Sequence, residues 1–189
     1  MRLVGAKNYK NYSQKILKIC KKKPISFEVF ADDFPAMDAQ ARVIDSWGAN
    51  VYVKIPVTNT KAEPSYDLIR SLSKQGIKLN VTAIMTDDQV KSVVDALDID
   101  TPAVVSVFAG RIADTGIDPV PLMRNYVEVL KGKPKSELLW ASPRELLNVF
   151  QANEVGCHII TATPDILKKL SLVNKDLAGY SLETVEMFY

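Results

Sequence analysis

Val51-Tyr52-Val53-Lys54-Ile55-Pro56 is a β-branched, apolar run with a single lysine inside it. Side chains alternate across a strand. Val51, Val53 and Ile55 therefore share one face, and Tyr52, Lys54 and Pro56 share the other. The same division recurs in three further runs. At residues 25–30, Ile25, Phe27 and Val29 oppose Ser26, Glu28 and Phe30. At 79–84, Leu79, Val81 and Ala83 oppose Asn80, Thr82 and Ile84. At 103–108, Ala103, Val105 and Val107 oppose Val104, Ser106 and Phe108. Shorter strand-like runs follow at 137–140 and 157–161. Gly, Pro or Asn bounds these segments.

Amphipathic patterns separate the runs. Residues 9–21 put Tyr12, Ile16, Leu17 and Cys20 on one side. Residues 36–47 carry Met37, Ala41, Ile44 and Trp47 and stop at Gly48. Residues 67–74 stop at Gly76. Thr86 is placed to cap a helix reaching Leu97, with Asp87 and Asp88 suited to its first turn. Pro119 opens a helix to about residue 131, and a last pattern spans 143–154. The order is strand, helix, strand, helix, as in a parallel sheet. Glu28, Lys54, Asn80 and Ser106 also stand 26 residues apart in succession, one in each of four strands. A fixed period of this size indicates stacked βα units.

An open doubly wound sheet meets helices on both faces, so both faces should be apolar. Here one face is aliphatic and the other mixed. In a closed barrel the aliphatic face lies under the helices and the mixed face points inward. The reading is therefore a (β/α)8 TIM-barrel type of α/β fold, in which Glu28, Lys54, Asn80, Thr82 and Ser106 converge. The competing reading is a set of unrelated polar residues at strand ends near water, which the common period disfavours. Lys54 is the informative member. A charged amine is costly to bury, and desolvation favours the neutral form of a buried lysine, which can attack a carbonyl. Snorkelling, or a pair with Glu28, is the structural alternative.

The totals narrow the function. The 189 residues suit one domain, with 47% hydrophobic and 24% charged residues. Net charge is +2, from 24 basic and 22 acidic residues, which gives no electrostatic reason for a nucleic-acid or membrane partner. The basic run Lys21-Lys22-Lys23 follows a helix end, where cations suit the dipole. Cys20 and Cys157 lie in no CxxC spacing and fit a reducing cytoplasm. His158 is the single histidine, with no ligand cluster, so no metal and no cofactor are expected. Cys157 and His158 are strand neighbours and should point to opposite faces, which argues against a nucleophilic pair. The first ten residues hold no long apolar run of the signal-peptide kind, and no stretch approaches a spanning helix of roughly 20 apolar residues.

Five motifs in order carry a resemblance: Ser26-Phe27-Glu28-Val29, Val53-Lys54-Ile55-Pro56-Val57-Thr58, Gly76 to Ile84, Ser106-Val107-Phe108-Ala109-Gly110-Arg111-Ile112, and Trp140-Ala141-Ser142-Pro143-Arg144. Together they resemble the small transaldolases and the neighbouring fructose-6-phosphate aldolases. The resemblance implies a single transaldolase-like barrel domain over 1–189. It implies that Lys54 forms a Schiff base with the C2 carbonyl of a ketose phosphate. Glu28 would act as acid/base through a water that Thr82 helps to place. Asn80 and Ser106 would bind substrate hydroxyls, and Arg111, Ser142 and Arg144 the phosphate, for which guanidinium forks are suited. The alternatives are a salt bridge from Arg111 to Asp114 and a surface position for Arg144 in the first turn of a helix. Phe108 stands where the aldolase subgroup usually has tyrosine, and Glu28 where it has glutamine. Both favour transaldolase, which moves a dihydroxyacetone unit from sedoheptulose 7-phosphate to glyceraldehyde 3-phosphate, giving erythrose 4-phosphate and fructose 6-phosphate in the pentose phosphate pathway. The alternatives are a lyase of the aldolase type and a non-catalytic sugar-phosphate-binding remnant. The latter follows from the absence of the family's catalytic aspartate strand, for which weak or no turnover is expected of residues 1–189 alone.

The sequence departs from the family at its ends. The family's opening strands bear Leu-Asp-Thr/Ser-Ala, with a catalytic aspartate, and Thr-Thr-Asn-Pro. Neither motif is found, so about six of eight strands are expected. Residues 181–189 resemble part of the family's last helix, which reaches neighbours in ring-shaped homo-oligomers. The expected partners are sugar phosphates, and the expected compartment is the cytoplasm.

Overall fold

The structure is a computed structural model that describes residues 8–189. The amino-terminal residues 1–7 read above lie outside it. The elements in order are α1 (Tyr9–Ile19), β1 (Ile25–Glu28), α2 (Phe34–Asp45), β2 (Val51–Pro56), α3 (Tyr66–Lys74), β3 (Leu79–Ile84), α4 (Asp87–Ala96), β4 (Ala103–Val107), α5 (Ala109–Asp114), α6 (Pro119–Leu130), β5 (Ser136–Trp140), α7 (Leu147–Glu154), β6 (Ile159–Ile160), α8 (Pro164–Lys168) and α9 (Leu177–Glu186). Six parallel strands pair in sequence order, β1 to β6. The sheet curls as half a barrel, an incomplete form of the expected fold. Its two edges among the described residues are β1 and β6.

The face division read from the sequence holds through most of the sheet. Val51, Val53, Ile55, Leu79, Val81, Val105, Val107 and Leu138 are wholly buried under the helices with Met37, Ile69, Val90, Met123 and Tyr126. Each fully buried aliphatic side chain of this kind contributes roughly 1.5–3 kcal/mol. A separate, small apolar cluster covers the inner face, where Val104, Leu139 and Ala141 meet Tyr52, Phe108 and Ile159. The helices begin as their residues dictate. Thr86 and Gln89 form a capping box at α4, and Asp33 and Asp118 cap α2 and α6, each ahead of a proline in the first turn. At the β1 edge, α1 packs Tyr9 edge-on against Phe27, Phe30 and Trp47. The Tyr9 hydroxyl accepts the Glu28 backbone N–H at 2.9 Å, a donor that the edge would otherwise leave free.

Three expectations need correction. Ile84 does not share the inner face with Asn80 and Thr82. A bulge at Ala83, whose φ is 64°, shifts the register, so that Val81 pairs with Val105 but Ile84 with Val107. The extra residue turns Ile84 into the core, where it is fully buried. The last predicted helix starts at Leu147 and not at 143, and the N–H groups of Arg144 and Glu145 are held in a turn by the Asn148 side chain. The run at 157–161 pairs over two residues only. The residues after Phe108, for which the sequence marked no element, form a short helix.

Candidate active site

A cavity of about 380 Å³ opens on the inner face, lined by Lys54, Asn80, Thr82, Ser106, Phe108 and Ser142. Six of the nine residues singled out from the sequence are thus brought together. The period explains this. Glu28 pairs with Lys54 across β1 and β2, and Lys54 pairs with Asn80 across β2 and β3. The lysine stands half-buried between a carboxylate-bearing and an amide-bearing strand. Among the described residues it makes no ion pair.

The cavity floor is polar and ordered. Ser106 Oγ donates to Asn80 Oδ1 at 2.7 Å, and Asn80 Nδ2 donates to Ser26 Oγ at 2.8 Å. The Thr82 hydroxyl is buried, 3% exposed, and has no hydrogen-bond partner among the described residues. A buried orphan hydroxyl on a cavity wall suits a bound water or a ligand hydroxyl. Ser26 and Thr161 also line the cavity and were not among the selected residues. Ser26 had a legible signal, since it shares the mixed face of its strand with Glu28. Thr161 had none, because β6 is too short to show alternation.

Three selected residues stand outside this cavity. Glu28 lines a neighbouring groove beside the β1 edge with Tyr9, Phe30 and Gln40, although its register position adjoins Lys54. Arg111 is exposed in α5, with its guanidinium 5.3 Å from the centre of the Phe108 ring. Arg144 lies before α7, so it is not in a first helical turn as expected. It lines a second cavity of about 370 Å³ that shares Ser142 and Thr161 with the first. Its fork grips Asp114, with Nε 2.9 Å from Oδ1 and Nη2 on Oδ2. The hydrogen bond from Arg144 holds the Asp114 carboxyl below the usual range, and the charge of Arg111 acts in the same direction. The ion pair foreseen for Arg111 is therefore made by Arg144.

The two arginine-bearing segments are locked together. Gly110 N–H donates to Ala141 O at 3.2 Å, and Ala141 N–H donates to Val107 O at 2.8 Å. The Asn148 side chain accepts the N–H groups of Arg144 and Glu145, which holds the turn before α7.

Cys157 and His158 do not form a reactive pair. Burial pushes the thiol above its usual range, and Sγ lies against the carbonyls of Leu138 and Ile159. His158 Nδ1 accepts the backbone N–H of Leu138 at 3.1 Å. No group of three or more potential metal ligands gathers among the described residues. None of the described helices is long and apolar enough to cross a membrane.

A parallel βα half-barrel with a lysine on its inner face, ringed by hydroxyl and amide groups, places this chain with the barrel-type α/β proteins. The chain belongs to the transaldolase/fructose-6-phosphate aldolase family, which it matches over residues 9–187. It is 33% identical over 181 residues to a probable transaldolase 2 of Listeria monocytogenes, covering 93% of this chain and 79% of that protein. It is 32% identical over 165 residues to a probable transaldolase of Nitrosopumilus maritimus, covering 86% of this chain and 70% of that one. Among solved structures, mandelate oxidase with benzoyl-formic acid superposes with a TM-score of 0.55 at 14% identity. That match covers 79% of this chain but only about half (51%) of that one. At such low identity the likeness concerns the fold alone.

Proposed function

We propose that the cavity binds a ketose phosphate and that Lys54 forms an imine with its C2 carbonyl. The observation that carries this reading is the placement of Lys54, an amine without an ion-pair partner among the described residues, on a wall of hydroxyls and an amide. In its neutral form the amine adds to the carbonyl, and loss of water gives the iminium. The iminium accepts the electron pair of the C3–C4 bond as that bond breaks. The C4 hydroxyl gives up its proton, through a water, to Glu28; an aldehyde leaves, and a three-carbon enamine stays on the lysine. Addition of the enamine to an acceptor aldose phosphate completes a transaldolase reaction. Asn80 and Ser106 hydrogen-bond substrate hydroxyls. Thr82 holds the water that carries protons from the amine nitrogen and to the C2 oxygen, which departs as water, and Glu28, adjacent in register, is the acid/base that works through it. Ser142, Arg144 and Arg111 hold the phosphate, with the guanidinium edge of Arg144 that Asp114 leaves free turned to the anion.

The transfer takes its three-carbon unit from sedoheptulose 7-phosphate and passes it to glyceraldehyde 3-phosphate, a step of the pentose phosphate pathway in the cytoplasm. Phe108 and Glu28 support transfer over simple aldol cleavage. The exposed apolar side chains of α9 and the residue after it, among them Leu177, Leu182 and Met187, support self-association of the chain. Borohydride reduction in the presence of fructose 6-phosphate, followed by peptide mass mapping, tests the central claim. Covalent labelling at Lys54 is expected. A folded chain that stays unlabelled there would refute the imine.

A further inference from the structure

The floor beneath Lys54 reaches one residue further than the reaction above uses. Ser106 on β4, Asn80 on β3 and Ser26 on β1 form a single hydrogen-bonded line that skips the lysine strand. Ser106 and Asn80 are buried, 2% and 6% exposed, whereas Ser26 stands in the open part of the cavity. A carboxamide has two chemically different ends, an acceptor oxygen and a donor nitrogen, and it reverses them by a half-turn about χ2. Ser106 holds the oxygen of Asn80, and Ser26 is the partner of the nitrogen.

We infer that Ser26 is a positioning residue. By accepting the Asn80 Nδ2–H it fixes which end of that amide meets a ligand hydroxyl beside Lys54. Because Ser26 Oγ receives this bond, its own proton is left to donate to a polyhydroxylated ligand or to a water in the cavity. The line then has one polarity, running from Ser106 through Asn80 to Ser26, with its free donor next to the ligand. A hydroxyl is required at position 26 for both tasks, and alanine supplies neither. The effect on ligand binding rests on the ketose-phosphate reading; the effect on Asn80 does not.

The experiment compares the parent chain with Ser26→Ala and Ser26→Thr. Solvent exchange of the Asn80 side-chain amide is followed by 15N–1H NMR, and borohydride labelling of Lys54 is measured at limiting fructose 6-phosphate. Loss of one neutral hydrogen bond corresponds to about a fivefold effect. Exchange at Asn80 should therefore quicken about fivefold in Ser26→Ala and return to within about twofold of the parent in Ser26→Thr. Labelling should fall and recover in the same order. Equal Asn80 exchange in the parent and Ser26→Ala overturns the inference, as does failure of threonine to restore it in a folded variant. A parent chain that never labels at Lys54 counts against the imine and leaves the Asn80 comparison to decide on Ser26.

Discussion

A Cβ placed on Gly110 would lie 1.5 Å from the carbonyl oxygen of Ser142, inside any permitted contact. The start of α5 and the segment after β5 approach so closely that only a hydrogen fits between them. That approach sets the spacing of Arg111 and Arg144, one on each segment. Because the obstacle is backbone and not a flexible side chain, Gly110→Ala forces one segment to move. The expected cost is about 1–3 kcal/mol, typical of overpacking. For a chain of this size that corresponds to a fall in melting temperature of roughly 2–12 °C. Thermal denaturation followed by circular dichroism reads it. An unchanged midpoint would mean that the two segments are free to separate.

Ala83 offers the opposite case. Its φ of 64° is left-handed, a conformation that costs an L-residue roughly 1–2 kcal/mol and glycine little. Glycine has more freedom to lose on folding, which takes back part of the gain. Ala83→Gly should therefore stabilise the chain by about 0.5–1 kcal/mol, and Ala83→Val should destabilise it by more than that. Chemical denaturation with urea distinguishes these outcomes. A glycine variant less stable than the parent would contradict a left-handed bulge at this position.

The same bulge shows where sequence reading stops. Alternation located Lys54, Asn80, Thr82 and Ser106 because each precedes any irregularity in its strand. It misplaced Ile84 because one added residue reverses every later side chain, and Ala83 carries no local mark of a positive φ as glycine would. The helix expected from 143 starts late because the Asn148 side chain takes the N–H groups of Arg144 and Glu145 into a turn, a side-chain contact that apolar spacing does not record. The 26-residue period was legible because it follows from stacked units. The pairing of Arg144 with Asp114, 30 residues away, depends on the end of α5 meeting the turn before α7, which no periodicity records.

The Arg144–Asp114 pair yields a prediction in pH. Asp114 has a folded-state pKa below its unfolded value, which is about 3.9 for a free aspartate. A depressed carboxylate stabilises the folded state above the unfolded pKa, and the contribution disappears as pH falls through the folded value. The stability difference between the parent and Asp114→Asn should thus be constant from about pH 5 to 8 and should close below about pH 4. Because both side chains are about half-exposed, the plateau should be small and should shrink in high salt. Urea midpoints measured across the pH range test this. A difference that widens towards low pH would show that Asp114 is not the group held by the arginine.

Lys54→Met separates function from structure at the centre of the cavity. Methionine keeps the length and the apolar stem of lysine but removes the amine. Lysine at this point is half-buried and makes no ion pair among the described residues, so replacing it leaves no partner uncompensated. Stability should stay level or rise by about 0.5–2 kcal/mol, as at other sites where a group is kept for chemistry at the expense of the fold. Borohydride labelling by fructose 6-phosphate should be abolished in the same variant. If Lys54 were instead held by Glu28 as a structural pair, Lys54→Met would strand a carboxylate and lower the melting temperature, and Glu28→Gln would lower it by a similar amount. A stable Lys54→Met variant that no longer labels, beside a Glu28→Gln variant of unchanged stability, would assign the lysine to chemistry. A marked loss of stability in both would assign it to the fold.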